Sequence, residues 1–169
     1  MLQQEPDRET ARFWRVLQQV PDPEIPVLSV VDLGIVRDLR AEAGGWTVVL
    51  TPTYSGCPAT EAIQESIRDA LLRAGADAVR IEMRLAPAWS TDWIAPAARE
   101  KLRAYGIAPP RAVAPDPGAP MPIGFVERVD CPRCGSADTQ RLSAFGATAC
   151  KALYRCRECL EPFEYFKPL

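Results

Sequence analysis

The chain of 169 residues contains no histidine. That absence removes much of enzyme chemistry at once. No Ser-His or Cys-His nucleophile pair can form, and no imidazole can ligate a metal. No side chain has an unperturbed pKa near neutrality. Thiolate, carboxylate, hydroxyl or a bound metal must carry whatever chemistry occurs. An excess of charge of one sign is also lacking: 20 Lys and Arg stand against 22 Asp and Glu, for a net charge of −2. A nucleic-acid binder would show a basic footprint. No apolar run approaches the roughly 20 residues of a membrane helix. The opening stretch, Met1-Leu2-Gln3-Gln4-Glu5-Pro6-Asp7, has neither the basic nor the apolar region of a signal peptide. A cytoplasmic location is expected, where paired cysteines serve metals or redox chemistry rather than structural disulfides.

What the chain does have is six cysteines. Four form two close pairs near the C-terminus, Cys131-Pro132-Arg133-Cys134 and Cys156-Arg157-Glu158-Cys159. A two-residue spacer lets both sulfurs of one knuckle face one ion, and two knuckles complete a tetrahedron. Cys131, Cys134, Cys156 and Cys159 are therefore the expected metal ligands. Strands over 139–145, 151–155 and 162–167 would make the module a zinc ribbon. Zinc is the default ion, and iron in a rubredoxin-like site competes, since tetrahedral sulfur suits both. Rubredoxin knuckles favour a small residue after the second cysteine; Gly135 meets that and Leu160 does not. The ribbon has two readings. One is that the metal only folds a tail too small for its own core. The other is a partner-docking surface built on exposed Phe163, Tyr165 and Phe166. Seven basic against six acidic residues over 123–169 disfavour nucleic acid. Cys150, between the pairs, reads as a small buried hydrophobe.

The first half predicts a compact α+β domain of order α-β-β-α-β, with helices packed on a short sheet. Phe13, Trp14, Leu17 and Val20 keep helical spacing over 7–20. Strands are expected over 35–41 and 46–52, joined by a turn at Gly44-Gly45. A helix over 59–74 presents Ala62, Ile63, Ile67, Ala70, Leu71 and Ala74, and Gly75 caps it. Alternating Val79, Ile81, Met83 and Leu85 mark a strand over 78–85, and a short helix spans 96–105. Six prolines within 107–122 read as a semi-rigid linker. The expected organisation is a domain over 1–106, a linker over 107–122 and a ribbon over 123–169.

Cys57 stands alone between the second strand and the helix, with Pro58 at the expected first helical position. As an N-cap thiol it would feel the helix dipole and unpaired backbone N–H groups, which favour thiolate. Gly56 permits a tight turn, and Thr51, Thr53 and Ser55 surround the position with hydroxyls. Asp22, Glu24 and Asp32 are the nearest candidate carboxylate partners. The plain alternatives are an inert buried cysteine and three turn or cap carboxylates.

Three motifs are Val20-Pro21-Asp22-Pro23-Glu24-Ile25-Pro26, Val30-Val31-Asp32-Leu33-Gly34-Ile35-Val36 and Thr51-Pro52-Thr53-Tyr54-Ser55-Gly56-Cys57-Pro58. They resemble the metal–sulfur cluster biosynthetic family, which includes SufT-like iron–sulfur assembly factors. The Trp89 to Trp93 segment, 101–110 and 145–156 extend the likeness to the PaaD (PaaJ) family associated with phenylacetyl-CoA oxygenase. The resemblance implies an accessory protein without catalysis of its own. In aerobic phenylacetate degradation, such a protein would assemble or repair an iron or iron–sulfur centre of an oxygenase or reductase partner. It implies that Asp22, Glu24 and Cys57 are the functional positions, with Thr51 and Thr53 beside them. It also implies zinc in the ribbon and iron or an iron–sulfur cluster as transient cargo. The rival reading is a purely structural component of the oxygenase complex, with no part in metal transfer.

Overall fold

The computed structural model describes residues 4–54, 56, 58–111 and 128–169. The chain divides into two compact units, Met1–Ala95 and Pro96–Leu169. The break falls before the boundary expected after Gly106. Helix Pro96–Tyr105 and strand Ile107–Ala108 group with the cysteine module, because Ile107 and Ala108 pair with Glu164 and Tyr165. The start of the expected linker is thus part of a sheet, and its stretch from 112 to 122 lies outside the described residues.

In the first unit α1 spans Gln4–Leu17 and buries Phe13 and Leu17, one turn apart. It ends earlier than its apolar spacing suggests. Gln19 N donates to Val16 O and Val20 N to Leu17 O, so the chain tightens into a 3₁₀ turn ahead of Pro21. Strands β1 (Val36–Glu42) and β2 (Gly45–Leu50) form an antiparallel hairpin, and β3 (Val79–Met83) lies parallel to β2. Gly45 is required at the turn, since a Cβ there would stand 2.5 Å from the Ala78 carbonyl oxygen. Helix α2 (Ala59–Arg73) makes the crossover and buries Ala59, Ile63, Ile67 and Leu71, a strict four-residue line. Ala62, expected on this face, is exposed. Gly75 at φ +95° donates to Leu72 O, and Ala76 donates to Leu71 O, which closes a Schellman motif after the Ala74 cap.

Trp46, Val48 and Leu50 point at the helices, and the Phe13 and Trp46 rings meet edge to face at 4.8 Å. The central strand is buried on its other face as well. There Arg40 pairs with Asp38 (3.5 Å) and Glu82 (2.5 Å), and Arg84 pairs with Glu82 (3.2 Å). This ladder of charges crosses from β1 to β3 over the middle of the sheet, and its aliphatic stems can shield Val49 from water.

The second unit begins with α3 (Pro96–Tyr105). A four-stranded sheet follows, from β4 (Ile107–Ala108), β5 (Thr139–Ser143), β6 (Lys151–Cys156) and β7 (Pro162–Phe166), in the order β4-β7-β6-β5. Its core contains Val129, Ala152, Tyr154, Phe163 and Tyr165. Tyr154 lies opposite Phe163 across the β6–β7 ladder, with ring centroids 5.9 Å apart, and meets Tyr165 edge to face at 5.7 Å. The expectation that Phe163, Tyr165 and Phe166 form an exposed docking surface is therefore corrected: all three are buried. A module this small has few other apolar residues with which to fill a core. Among the described residues of this unit, the large apolar side chains that stand exposed are Tyr105, Leu142, Phe145, Leu160 and Leu169. Cys150 is buried as expected, its Sγ 3.0 Å from Thr148 Oγ1.

Candidate metal centre and transfer loop

The two knuckles are built alike. Cys131 N donates to Ser136 O in the first, and Cys156 N donates to Glu161 O in the second. Each bond closes a turn that carries the second cysteine back toward the first. The residue after that cysteine is left-handed in both: Gly135 at φ +76° and Leu160 at φ +65°. Leucine in this region costs about 1 kcal/mol or more, because its Cβ crowds its own backbone. The small residue expected after a second cysteine is thus replaced at 160 without any change of backbone shape. Arg157 N donates to Asp138 O and ties the second knuckle to the residue just before β5.

These turns gather Cys131, Cys134, Cys156 and Cys159, whose sulfurs all lie within 4.8 Å of one another. Cys131 and Cys159 are 3.8 Å apart, and Cys134 and Cys156 are 3.5 Å apart. A tetrahedron with metal–sulfur bonds of about 2.3 Å has edges of about 3.8 Å. The four sulfurs therefore fit a zinc ion with little movement. The backbone N–H of Cys159 lies 3.5 Å from Cys156 Sγ. That bond, the largest cause, holds the Cys156 thiol at about 7. Cys159 is drawn down by the Glu161 N–H, but burial and the neighbouring Cys156 outweigh this and push it up to about 12. A bound cation reverses such crowding, because thiolates that repel one another share one positive charge. Zinc held here by four thiolates would cross-link the two knuckles; with no open position, it is a structural rather than a catalytic ion.

The second candidate site lies in the first unit. A relay of backbone hydrogen bonds runs from Val30 N to Val20 O (3.0 Å), Ile35 N to Val30 O (3.1 Å) and Thr51 N to Ile35 O (2.9 Å). It sets the Asp22 turn, the Asp32 loop and the start of the loop from Thr51 side by side, where β1 begins and β2 ends. Asp22 is buried, and its Oδ1 accepts from Glu24 N (2.9 Å) and Ile25 N (2.8 Å). That oxygen shapes the turn, which Pro23 and Pro26 could not close with N–H groups of their own. Glu24 and Thr53 are half-buried, and Thr51 is buried. Asp32 and Ser29 cap each other: Ser29 N donates to Asp32 Oδ2 and Asp32 N to Ser29 Oγ. Cys57 and Ser55 lie outside the described residues. Between them, Gly56 takes φ +91° with open space where a Cβ would stand. The cap of α2 is Pro58 rather than Cys57, although Pro58 already has helical angles (φ −65°, ψ −23°). Helix starts commonly shift by one residue between definitions.

The segment 89–95 grips this region through contacts that no single motif encodes. Trp89 Nε1 donates to Leu33 O (2.9 Å), and Ala95 N donates to Asp32 O (3.0 Å). A Cβ on Gly34, at φ +68°, would stand 2.8 Å from Trp93 O. Arg37, the extra residue of a bulge between Val36 and Asp38, stacks its guanidinium 3.6 Å from the Trp93 ring centroid. The sequence signals were the paired tryptophans and the glycine after Leu33, and nothing in their spacing says that they touch.

Comparison with known proteins agrees with both halves. Residues 11–83 match the model for an iron–sulfur cluster assembly protein, and residues 118–167 match that for the PaaD zinc β-ribbon domain. The first unit has the fold of a crystal structure from Bacillus anthracis described as a domain of unknown function, DUF59. The TM-score is 0.53 and the identity 23%, over 57% of this chain and 93% of that one. A Porphyromonas gingivalis (strain ATCC BAA-308 / W83) protein named "Fe-S protein maturation auxiliary factor" is 37% identical, over 52% of this chain and 85% of its own length. An Escherichia coli (strain K12) protein named as one component of a "Putative 1,2-phenylacetyl-CoA epoxidase" is 51% identical, over 92% of this chain and 90% of its own length. No described helix is long and apolar enough to cross a membrane. With that degree of identity along nearly its whole length, the chain belongs to the PaaD family, in which an iron–sulfur cluster assembly domain precedes a zinc ribbon.

Proposed function

We propose that the chain is an accessory maturation protein of a multicomponent phenylacetyl-CoA epoxidase. In this role it assembles or repairs an iron or iron–sulfur centre in an oxygenase or reductase subunit. The observation that carries the reading is how the likeness divides. The maturation-factor relative matches 52% of the chain, whereas the epoxidase-component relative matches 92%. A general assembly domain is thus joined to a part shared with one enzyme system. In this division of labour the first unit handles the metal and the zinc-bound ribbon meets the client. Cys57 is the transfer thiol: it is the one cysteine in the first unit of a chain without histidine, and a thiolate suits iron–sulfur chemistry. Asp22, Glu24, Thr51 and Thr53 form its setting. Asp22 holds the turn closed, and the open space at Gly56 supports approach of a ligand to the loop.

Co-production of the oxygenase and reductase subunits with wild-type chain or with Cys57→Ser tests this. The variant is expected to leave the purified subunits short of iron and of activity. Iron content and activity equal to wild type would sink the transfer role and leave a structural component.

A further inference from the structure

Among the described residues, Leu160 is the only one other than glycine with a positive φ. The first knuckle holds the same place with Gly135, so the fold itself supplies the comparison. The contacts that hold the second turn use backbone atoms that any residue at 160 keeps: Cys156 N donates to Glu161 O, and the Arg155 side chain donates from Nε to Leu160 O (3.3 Å). Glycine at 160 would keep both. Burial does not repay the leucine either, because it is 59% exposed. The ribbon's own packing gives no reason for an exposed apolar side chain at a strained position, and strain retained at such a place points to function. Its neighbours bear on what that is. Glu158 and Glu161 flank it and are exposed, while Arg155 turns back on the Leu160 carbonyl and the charge of Arg157 is opposed by Asp138 at 3.5 Å. A two-fold contact centred on Leu160 would set the acidic pair near its own image, which disfavours a second copy.

We propose that Leu160 is the anchor by which the ribbon docks on its client, entering an apolar pocket on a protein of the oxygenase system. Lys or Arg on the rim of that pocket meets Glu158 and Glu161. The inference rests on the client-docking role above and gives it a place. Interfaces commonly take most of their affinity from a few well-packed anchors ringed by contacts that exclude water.

The test uses tagged, zinc-loaded full-length chain co-produced with the oxygenase and reductase subunits of a phenylacetyl-CoA epoxidase. Leu160→Gly is expected to keep its zinc and to melt no lower than wild type, while the subunits retained on the tag fall at least tenfold. Leu160→Met, which keeps an apolar tip, is expected to retain them. Undiminished retention with Leu160→Gly overturns the proposal, as does a wild-type chain that retains neither oxygenase nor reductase. Loss of zinc or a lower melting point in Leu160→Gly also overturns it, because the leucine would then serve the knuckle. Cys57→Ser run alongside separates the two claims. Impaired iron loading there, with intact docking in Leu160→Gly, removes the anchor alone; the reverse pattern removes the transfer role alone.

Discussion

Gly34 shows how much of the first unit depends on single residues. Its positive φ and the Trp93 carbonyl 2.8 Å from its Cβ position leave no room for a side chain. Gly34→Ala is expected to destabilise the protein by about 3 kcal/mol, from backbone strain and overpacking together. A chemical-denaturation midpoint unchanged from wild type would contradict that. Asp22 is legible in a different way. Its place between two prolines suggests a turn, and the turn is there, with Oδ1 taking two backbone N–H groups. What single residues could not reveal was which distant partner each would meet. Stacking of Arg37 on Trp93 joins positions far apart in the chain, and no local propensity encodes it.

Elements were readable where a period or a stop signal was strong. The helix after Pro58, the hairpin at Gly44-Gly45 and both knuckles occur close to their expected positions. Strand β7 was readable as a strand but not in its burial. An alternating run shows which residues share a face, and it does not show which face a small sheet turns inward. Tyr154, on the neighbouring strand, settles that by covering Phe163 and Tyr165. The ladder joining β1 to β3 makes its own prediction. Hydrogen bonds from Arg84, then Arg40, hold the Glu82 carboxyl below its ordinary value of 4.5. A depressed carboxylate stabilises the fold above the unfolded pKa, and that contribution is lost as pH falls through the folded value. Glu82→Gln is expected to lower the melting temperature slightly at neutral pH. On acidification below about 4.5 its curve should converge with wild type, because only wild type loses the ladder there. The gap should also shrink in high salt, since these groups are exposed. Parallel curves at every pH would show the ladder to be inert.

At the scale of the whole molecule, the two compact units differ in what makes them stable. The first buries its own core of helix and sheet side chains, whereas the second joins a small core to four sulfurs placed to hold a metal. Metal-binding free energy is folding free energy in such a module. Chelation is therefore expected to abolish one calorimetric transition and leave the other in place; a thermogram unchanged by chelator would contradict it. The boundary between the units was poorly legible because prolines announce a linker in composition, while Ile107 and Ala108 are recruited into a sheet by β7, far along the chain. Lys151 offers a way to watch the second unit open. It is one of three lysines in the chain, with Lys101 and Lys167. Its amine lies 2.7 Å from Glu164 and is buried, whereas Lys101 is exposed. Amine-directed acylating reagents should then mark Lys101 and pass over Lys151 for as long as the ribbon keeps its metal. The same lysine should become a labelled peptide in a mass spectrum once the metal is stripped, so one buried ion pair turns the state of the zinc into a covalent record.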